Sequence, residues 1–226
     1  MQSRISITPI RMIRYTFRYR RKAKPHMEAK MIGVFGSAVT PPGTPDYEDA
    51  QQLGIFLAQA GYAVMTGGYG GTMGAVSRGA AESGGRVVGV TVGRFKARGL
   101  TPNPFLHEEV HLPTLAERLN YLIVKPDAYV VLRGGVGTLS ELALAWSLIQ
   151  VTEVPPRPLV IVGAAWETII RTFAANSTIP PTELQRLTFV PAVAEVVPAL
   201  RAWWENPPRV APRLGDEEKT PPLGDR

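Results

Sequence analysis

Short runs of apolar, often β-branched residues alternate along most of the chain with longer segments of helical, amphipathic spacing. The irregular stretch 93–107, which contains Gly99, Pro102 and Pro104, predicts a connection that crosses the mouth of a sheet. The apolar runs predict strands at 31–36, 62–66, 86–92, 128–132 and 159–162, and the amphipathic segments predict helices at 46–60, 72–83, 114–124, 138–150, 166–174 and 193–204. Regular alternation of strands and helices is typical of an α/β fold with a doubly wound, mostly parallel sheet and helices on both faces. One domain is expected for a chain of 226 residues.

The two ends of the chain lack this pattern. Residues 1–30 contain nine Lys and Arg and one acidic residue, which predicts a basic disordered arm or an over-extended translation start, because Met27 and Met31 stand just before the first strand. Residues 206–226 contain five prolines among charged residues, which predicts a disordered tail. The folded domain is therefore expected at 31–205.

Charge and composition exclude several classes of protein. The arm has a net charge of +8 and the whole chain one of +6, so the rest of the chain has a net charge of 6 − 8 = −2. A body so close to neutral does not favour nucleic acid as a partner. No apolar run approaches the roughly 18 residues of a membrane span, so no membrane association is expected. The sequence has no cysteine and three histidines, so we expect no metal site and no disulfide, and a cytoplasmic location.

Glycine-bearing strand ends are the first candidates for chemistry. In a parallel sheet these ends share the carboxyl edge, where open α/β sheets bind ligands. Glycine lets the backbone approach an anion, and the free amides of a new helix point at it. The candidate phosphate-binding residues are Gly36, Ser37, Gly68, Gly70, Gly71, Gly134, Gly135, Gly137 and Thr138. Tight strand-to-helix turns are the alternative, but two such loops in one sheet, one followed by Thr-x-x-Glu, favour an anion site.

Two charged residues next to these loops have two interpretations each. Glu141 follows Thr138 by three residues, which fits either a functional carboxylate or a capping box at the start of a helix. Arg118 follows a second such pattern, Thr114-x-x-Glu117, and an isolated helical arginine is usually solvated. Spacing alone gives neither residue a catalytic role.

Three segments resemble the LOG family, whose members were formerly labelled lysine decarboxylases. They are Gly33-Val34-Phe35-Gly36-Ser37, Thr66-Gly67-Gly68-Tyr69-Gly70-Gly71-Thr72-Met73-Gly74-Ala75-Val76 and Gly134-Gly135-Val136-Gly137-Thr138-Leu139-Ser140-Glu141. The resemblance extends from about residue 31 to residue 163. It implies a Rossmann-like homodimeric hydrolase that cleaves the N-glycosidic bond of cytokinin riboside or related nucleoside 5′-monophosphates, without a cofactor, and releases base and ribose 5-phosphate.

The resemblance also suggests roles for single residues. The family motif PGGxGTxxE is present from its first glycine onward, so Glu141 takes the position of the catalytic glutamate. Arg118 stands nine residues before Asp127 and matches the arginine of the family's Arg-Lys pair. In two departures, Arg133 replaces the leading proline and Leu119 replaces the lysine. Arg133 either adds a cation beside the phosphate or points outward.

These departures place the chain in a divergent branch and keep a second function open. Molybdenum-cofactor carrier proteins are similar in the same glycine motifs, so the alternative is a carrier that binds a nucleotide or the molybdenum cofactor without turnover. A decarboxylase is excluded, because pyridoxal phosphate needs a Schiff-base lysine and only Lys96 and Lys125 occur between residues 31 and 201. Helix 138–150 is apolar almost all round, so it is buried in the core or against a partner.

Overall fold

The structure, a computed structural model, describes residues 29–97 and 99–208. It contains a seven-stranded sheet in which neighbouring strands pair in parallel, in the order β4-β3-β2-β1-β5-β6-β7. The strands are β1 (Met31–Phe35), β2 (Ala63–Thr66), β3 (Val87–Val92), β4 (Glu108–Leu112), β5 (Ala128–Val131), β6 (Leu159–Val162) and β7 (Thr188–Val190). The predicted basic arm and proline-rich tail lie outside the described residues, apart from 29–30 and 206–208.

Helices cover both faces of this sheet, so the doubly wound α/β fold is confirmed. The helices are α1 (Pro45–Gln59), α2 (Gly71–Glu82), α3 (Gly93–Lys96), α4 (Leu115–Val124), α5 (Val136–Gln150), α6 (Ala164–Ala175) and α7 (Val196–Glu205). α1, α2 and α7 pack their apolar sides on one face, with Leu53, Val76 and Leu200 fully buried. α4, α5 and α6 pack on the other face, where Leu122, Leu142 and Ile170 are buried. No helix in the described ranges is long and apolar enough to cross a membrane.

The five predicted strands are present, and two strands were not predicted. β4 has the sequence Glu-Glu-Val-His-Leu and lies at the edge of the sheet with both glutamates exposed. Charged residues suit an edge strand, because they oppose pairing with another chain, but they remove the apolar pattern by which a strand is recognised. β7 is only three residues long. The stretch predicted as irregular contains the short helix α3.

The order of the strands determines where a ligand can bind. The chain runs outward from β1 through β2 and β3 to β4, and then returns to β5 on the other side of β1. The connections after β1 and β5 therefore diverge to opposite faces and leave a crevice at the carboxyl edge of the sheet. Ligands of open α/β sheets bind at such a switch point.

Candidate functional site

A cleft of about 380 Å³ opens at this switch point. It is bounded by the segment after β1, the loop after β2, helix α4 and the first two turns of α5. Its lining residues are Gly36, Ser37, Ala38, Val39, Tyr69, Met73, Phe95, Leu100, Leu115, Arg118, Leu119, Gly135, Gly137, Thr138, Ser140 and Glu141. The fold thus brings both predicted catalytic residues and five of the predicted phosphate-binding residues, Gly36, Ser37, Gly135, Gly137 and Thr138, to one cleft.

Helix α5 begins at the cleft with an open N-terminus. Gly135 is its N-cap and supplies no side chain, and no side-chain capping bond is formed. The first N–H groups of a helix have no acceptor within the helix itself. A Cβ atom built at Gly135 or at Gly137 would meet nothing within 4 Å, so the space beside these amides is free. This helix start can therefore accept an anion.

The glycine loop before α2 is used differently. The amide and the hydroxyl of Thr72, in the first turn of α2, both donate to the Ser37 carbonyl oxygen at 2.9 Å. Gly71 has φ +64°, and a Cβ atom there would overlap the Ser37 and Ala38 backbone. This loop therefore holds the segment after β1 in place. Gly68, Gly70 and Gly71, predicted to bind phosphate, do not line the cleft.

Two further predicted phosphate-binding residues lie behind or outside the cleft lining. Gly134 packs against Thr138, because a Cβ atom at Gly134 would overlap the Thr138 hydroxyl. Arg133 is 76% exposed and pairs with Asp46 of α1 at 3.5 Å. Of the two orientations left open for Arg133, the side chain takes the outward one.

Arg118 is buried, with 5% of its surface exposed. Its helix α4 begins with the predicted capping box, in which Thr114 and Glu117 bond each other's backbone amides. The Arg118 Nε donates to the Val90 carbonyl at 2.7 Å, and one Nη donates to the Gly67 carbonyl at 3.1 Å. Burial lowers the pKa of Arg118 from its ordinary value, and the nearby Glu141 carboxyl opposes this shift. Arg118 is therefore a fixed cation of the site rather than a solvated side chain.

Glu141 is the second buried charged residue of the cleft, with 8% exposed. It is the sixth residue of α5, beyond the first turn, and forms no capping bond, so the capping-box interpretation of Thr138-x-x-Glu141 is wrong. No Lys, Arg or His nitrogen of the described chain lies within 4.0 Å of its carboxylate. Burial raises the pKa of Glu141 to about 7, and Arg118 only partly offsets this. A carboxyl that titrates near neutral pH can orient water, exchange a proton or stabilise developing positive charge.

An apolar wall completes the cleft, and none of its residues was predicted as part of the site. Its members are Val39, Tyr69, Met73, Phe95, Leu100, Leu115 and Leu119. Phe95 and Leu100 come from the stretch predicted as irregular, and Tyr69 stands between two glycine pairs. The prediction that this stretch crosses the mouth of the sheet was the signal in the sequence that could have identified Phe95 and Leu100.

The described residues contain no cluster of three or more His, Cys, Asp or Glu placed to hold a metal ion.

Gly137→Ala is expected to separate ligand binding from folding. Because the new methyl group enters open space at the cleft, it obstructs an anion at the α5 amides, and the dissociation constant for inorganic phosphate should rise about ten-fold. Replacing a helical glycine should leave the fold as stable or up to about 1 kcal/mol more stable. Calorimetric titration and thermal unfolding measure the two effects.

Gly93→Ala is the matched control. A Cβ atom there meets only the His111 ring, at 3.6 Å, and Gly93 does not line the cleft. Equal weakening of ligand binding by both variants would contradict an anion site at the start of α5.

Comparison with known proteins finds a matching family model and several sequence relatives. The model of the SLOG cluster4 family matches residues 29–154, more than half of the chain. An uncharacterised protein of Archaeoglobus fulgidus is 33% identical over 121 residues, which cover 53% of this chain and 75% of that protein. A cytokinin riboside 5′-monophosphate phosphoribohydrolase of Mycobacterium tuberculosis is 36% identical over 111 residues, 49% of this chain and 59% of the enzyme. The match therefore spans less than two thirds of that enzyme.

Solved structures support the fold at a greater distance. The molybdenum cofactor binding protein of Rippkaea orientalis superposes with a TM-score of 0.63 at 22% identity, covering 78% of this chain and 98% of that protein. At this identity the likeness concerns the fold alone. The family match and the relatives named as phosphoribohydrolases, the activity of the LOG family, lead to one assignment. The chain belongs to the SLOG cluster4 family and is a divergent LOG-like member with a Rossmann-like fold.

Proposed function

We propose that this protein is a nucleoside 5′-monophosphate phosphoribohydrolase, a hydrolase that releases free base and ribose 5-phosphate. One observation carries the proposal: the buried Glu141 carboxyl faces the same small cleft as the buried Arg118 and the open N-terminus of α5. The names of the relatives, which describe this reaction, agree with it. The carboxyl, the guanidinium and the helix amides provide, in one cleft, the groups that the reaction needs.

The reaction is a displacement by water at C1′ of the ribose. The bond from C1′ to the base nitrogen breaks, a bond from C1′ to the water oxygen forms, and the departing base takes up a proton. The sugar passes through an oxocarbenium-like state, which an ionised carboxylate near C1′ stabilises. In this proposal Glu141 supplies that carboxylate and accepts a proton from the attacking water.

The 5′-phosphate is held at the other end of the substrate. Gly135, Gly137 and Thr138 offer the free amides of the first turn of α5, and Arg118 adds a fixed positive charge. Binding energy from this remote group can be applied at the reacting carbon. The proposal therefore requires a strong preference for monophosphates over nucleosides.

A panel of nucleosides and their 5′-monophosphates, with chromatographic detection of released base, tests the proposal. Base should be released from at least one monophosphate with a kcat/KM about 100-fold above that for the matching nucleoside. Glu141→Ala serves as the control for contaminating hydrolases. No release from any monophosphate, or undiminished release by the variant, would falsify the proposed activity.

A carrier protein that binds a phosphorylated cofactor without turnover is the second candidate. Arg133 turns away from the cleft and Leu119 is apolar, so Arg118 is the one Lys or Arg among the described lining residues. A cleft with an aromatic and apolar wall beside one cation also suits a ligand that joins a flat ring system to a phosphate, such as the molybdenum cofactor. Stoichiometric retention of the ligand without released base would favour the carrier over the hydrolase.

We also propose that the protein is a cytoplasmic homodimer. The exposed apolar side chains at the start of α5 and α4 support the dimer: Val136 and Leu139 of α5 and Leu115 of α4 are all exposed. The location rests on the absence of cysteine, and therefore of disulfides, which is compatible with a reducing compartment.

Light scattering coupled to size exclusion tests the dimer. It should give twice the chain mass for the wild type and one chain mass for Leu139→Lys. Ser147→Ala, on the same helix, should remain dimeric. A wild type that elutes as a monomer at about 100 μM excludes a dimer of useful affinity.

A further inference from the structure

Tyr69 connects two parts of the molecule that meet beside the cleft. It lies in the loop between β2 and α2, with 3% of its surface exposed. Its hydroxyl accepts from the Val92 amide at 2.9 Å and donates to the Val92 carbonyl at 3.1 Å. Both polar backbone atoms of the last residue of β3 therefore hold the phenol ring in one position.

The ring of Tyr69 packs beside the Arg118 guanidinium. Its centre lies 5.8 Å from the Arg118 Cζ, and the centre of the Phe95 ring lies 5.6 Å from the same atom. The two rings meet edge to face, with centres 5.5 Å apart and planes at 69°. Both distances are within the range in which an aromatic face attracts a cation.

These rings complete a set of contacts that holds the Arg118 guanidinium in place, and none of these contacts involves Glu141. The Val90 and Gly67 carbonyls use two of the five guanidinium N–H groups, and a Cβ atom at Gly67 would overlap Arg118 Nη2. The remaining three N–H groups have no acceptor among the described residues. Because Arg118 lines the cleft, these groups are available to a ligand.

We propose that Tyr69 is a positioning residue for Arg118: with Phe95 it braces the guanidinium against the Val90 and Gly67 carbonyls, so that the unused N–H groups face the ligand. The part of this inference that concerns a ligand rests on the proposed phosphate site. The part that concerns the orientation of Arg118 stands on the contacts alone.

Proton exchange at Arg118 tests the orientation without any ligand. The Nε–H group, buried and bonded to Val90, should exchange slowly with water in NMR spectra of the full chain. Tyr69→Leu, which removes the ring, should speed this exchange about ten-fold, and Tyr69→Phe, which keeps the ring but loses the bonds to Val92, about three-fold. Unchanged exchange in Tyr69→Leu would overturn the proposal.

Tyr129→Phe is the matched control. Tyr129 is also a buried tyrosine whose hydroxyl bonds a backbone carbonyl, that of Ile123, but it does not line the cleft. Loss of the Tyr129 hydroxyl should lower the free energy of unfolding without changing the exchange rate of the Arg118 Nε–H group. Where Tyr69→Leu fails to fold, Phe95→Leu, at a half-buried position, should speed the exchange about three-fold, and no change there also overturns the proposal.

Binding of ribose 5-phosphate adds a readout that a structural role would not move. Tyr69→Leu should raise the dissociation constant about ten-fold when Arg118 is intact, and should have no further effect in an Arg118→Gln background. An equal loss in both backgrounds would show that Tyr69 does not act through Arg118. A wild type that neither binds ribose 5-phosphate nor releases base contradicts the proposed function, while the exchange measurement still decides the role of Tyr69.

Discussion

Glu141→Gln is expected to lower the release of base from nucleoside monophosphates by about 10³-fold, whereas the affinity for ribose 5-phosphate changes by less than about three-fold. Glutamine has nearly the same shape as glutamate but carries no negative charge and accepts no proton. It therefore removes charge stabilisation and water activation at C1′, and leaves the amides of α5 and the Arg118 guanidinium in place. A loss in kcat with an unchanged product affinity identifies an interaction that is made only in the transition state.

The pH dependence of the wild type provides an independent measurement. Because the pKa of Glu141 is about 7, kcat/KM should rise from pH 5, reach half its maximum near pH 7 and level off above about pH 8, where the carboxyl is ionised in the free protein. The residual activity of Glu141→Gln should lack this rise. Glu167→Gln, an exposed carboxylate of α6 paired with Arg171, should keep both the rate and the profile of the wild type. A Glu141→Gln variant with wild-type turnover leaves Glu141 without a catalytic role.

The sequence predicts the elements with strong periodicity, and the structure confirms them. Strands β1, β2, β3, β5 and β6 are near-continuous apolar runs because both of their faces are covered by helices. β4 lacks such a run because it pairs on one side only and exposes its glutamates. Local pattern therefore predicts the centre of this sheet well and its edges poorly.

The candidate site shows a different limit of sequence reasoning. Two glycine loops of similar composition precede α2 and α5, and the sequence assigns both to an anion. In the structure the amide of Thr72 at the start of α2 is taken by the Ser37 carbonyl, whereas the start of α5 remains open. This difference depends on where the segment after β1 lies, and no local pattern encodes that position.

The charged residues show the same dependence on tertiary contacts. Thr114-x-x-Glu117 and Thr138-x-x-Glu141 match one pattern, but only the first forms a capping box, because α5 already starts at Val136. Arg118 is buried because the Val90 carbonyl of β3, the Gly67 carbonyl just after β2 and two aromatic rings surround it. Resemblance to the LOG family selected both residues, while spacing alone left them ambiguous.

The buried carboxyl of Glu141 is also expected to make the stability of the protein depend on pH. Its pKa is about 7 in the folded protein and 4.5 ordinarily, so the folded protein binds this proton more tightly than the unfolded chain. The stabilising contribution is full below about pH 4.5 and is lost as the pH rises through about 7. The shift corresponds to about 3 kcal/mol of unfolding free energy.

Urea unfolding of the wild type and of Glu141→Gln between pH 4.5 and 8.5 measures this contribution. The unfolding free energy of the wild type minus that of the variant should fall by about 3 kcal/mol across this range, because glutamine does not titrate. The corresponding difference for Glu167→Gln should stay nearly constant. A constant difference for Glu141→Gln would mean that the carboxyl finds a partner or water in solution. A falling difference would show that the ionised Glu141 carboxylate destabilises the folded protein at neutral pH. Such a cost is expected when a buried group is kept for chemistry rather than for folding.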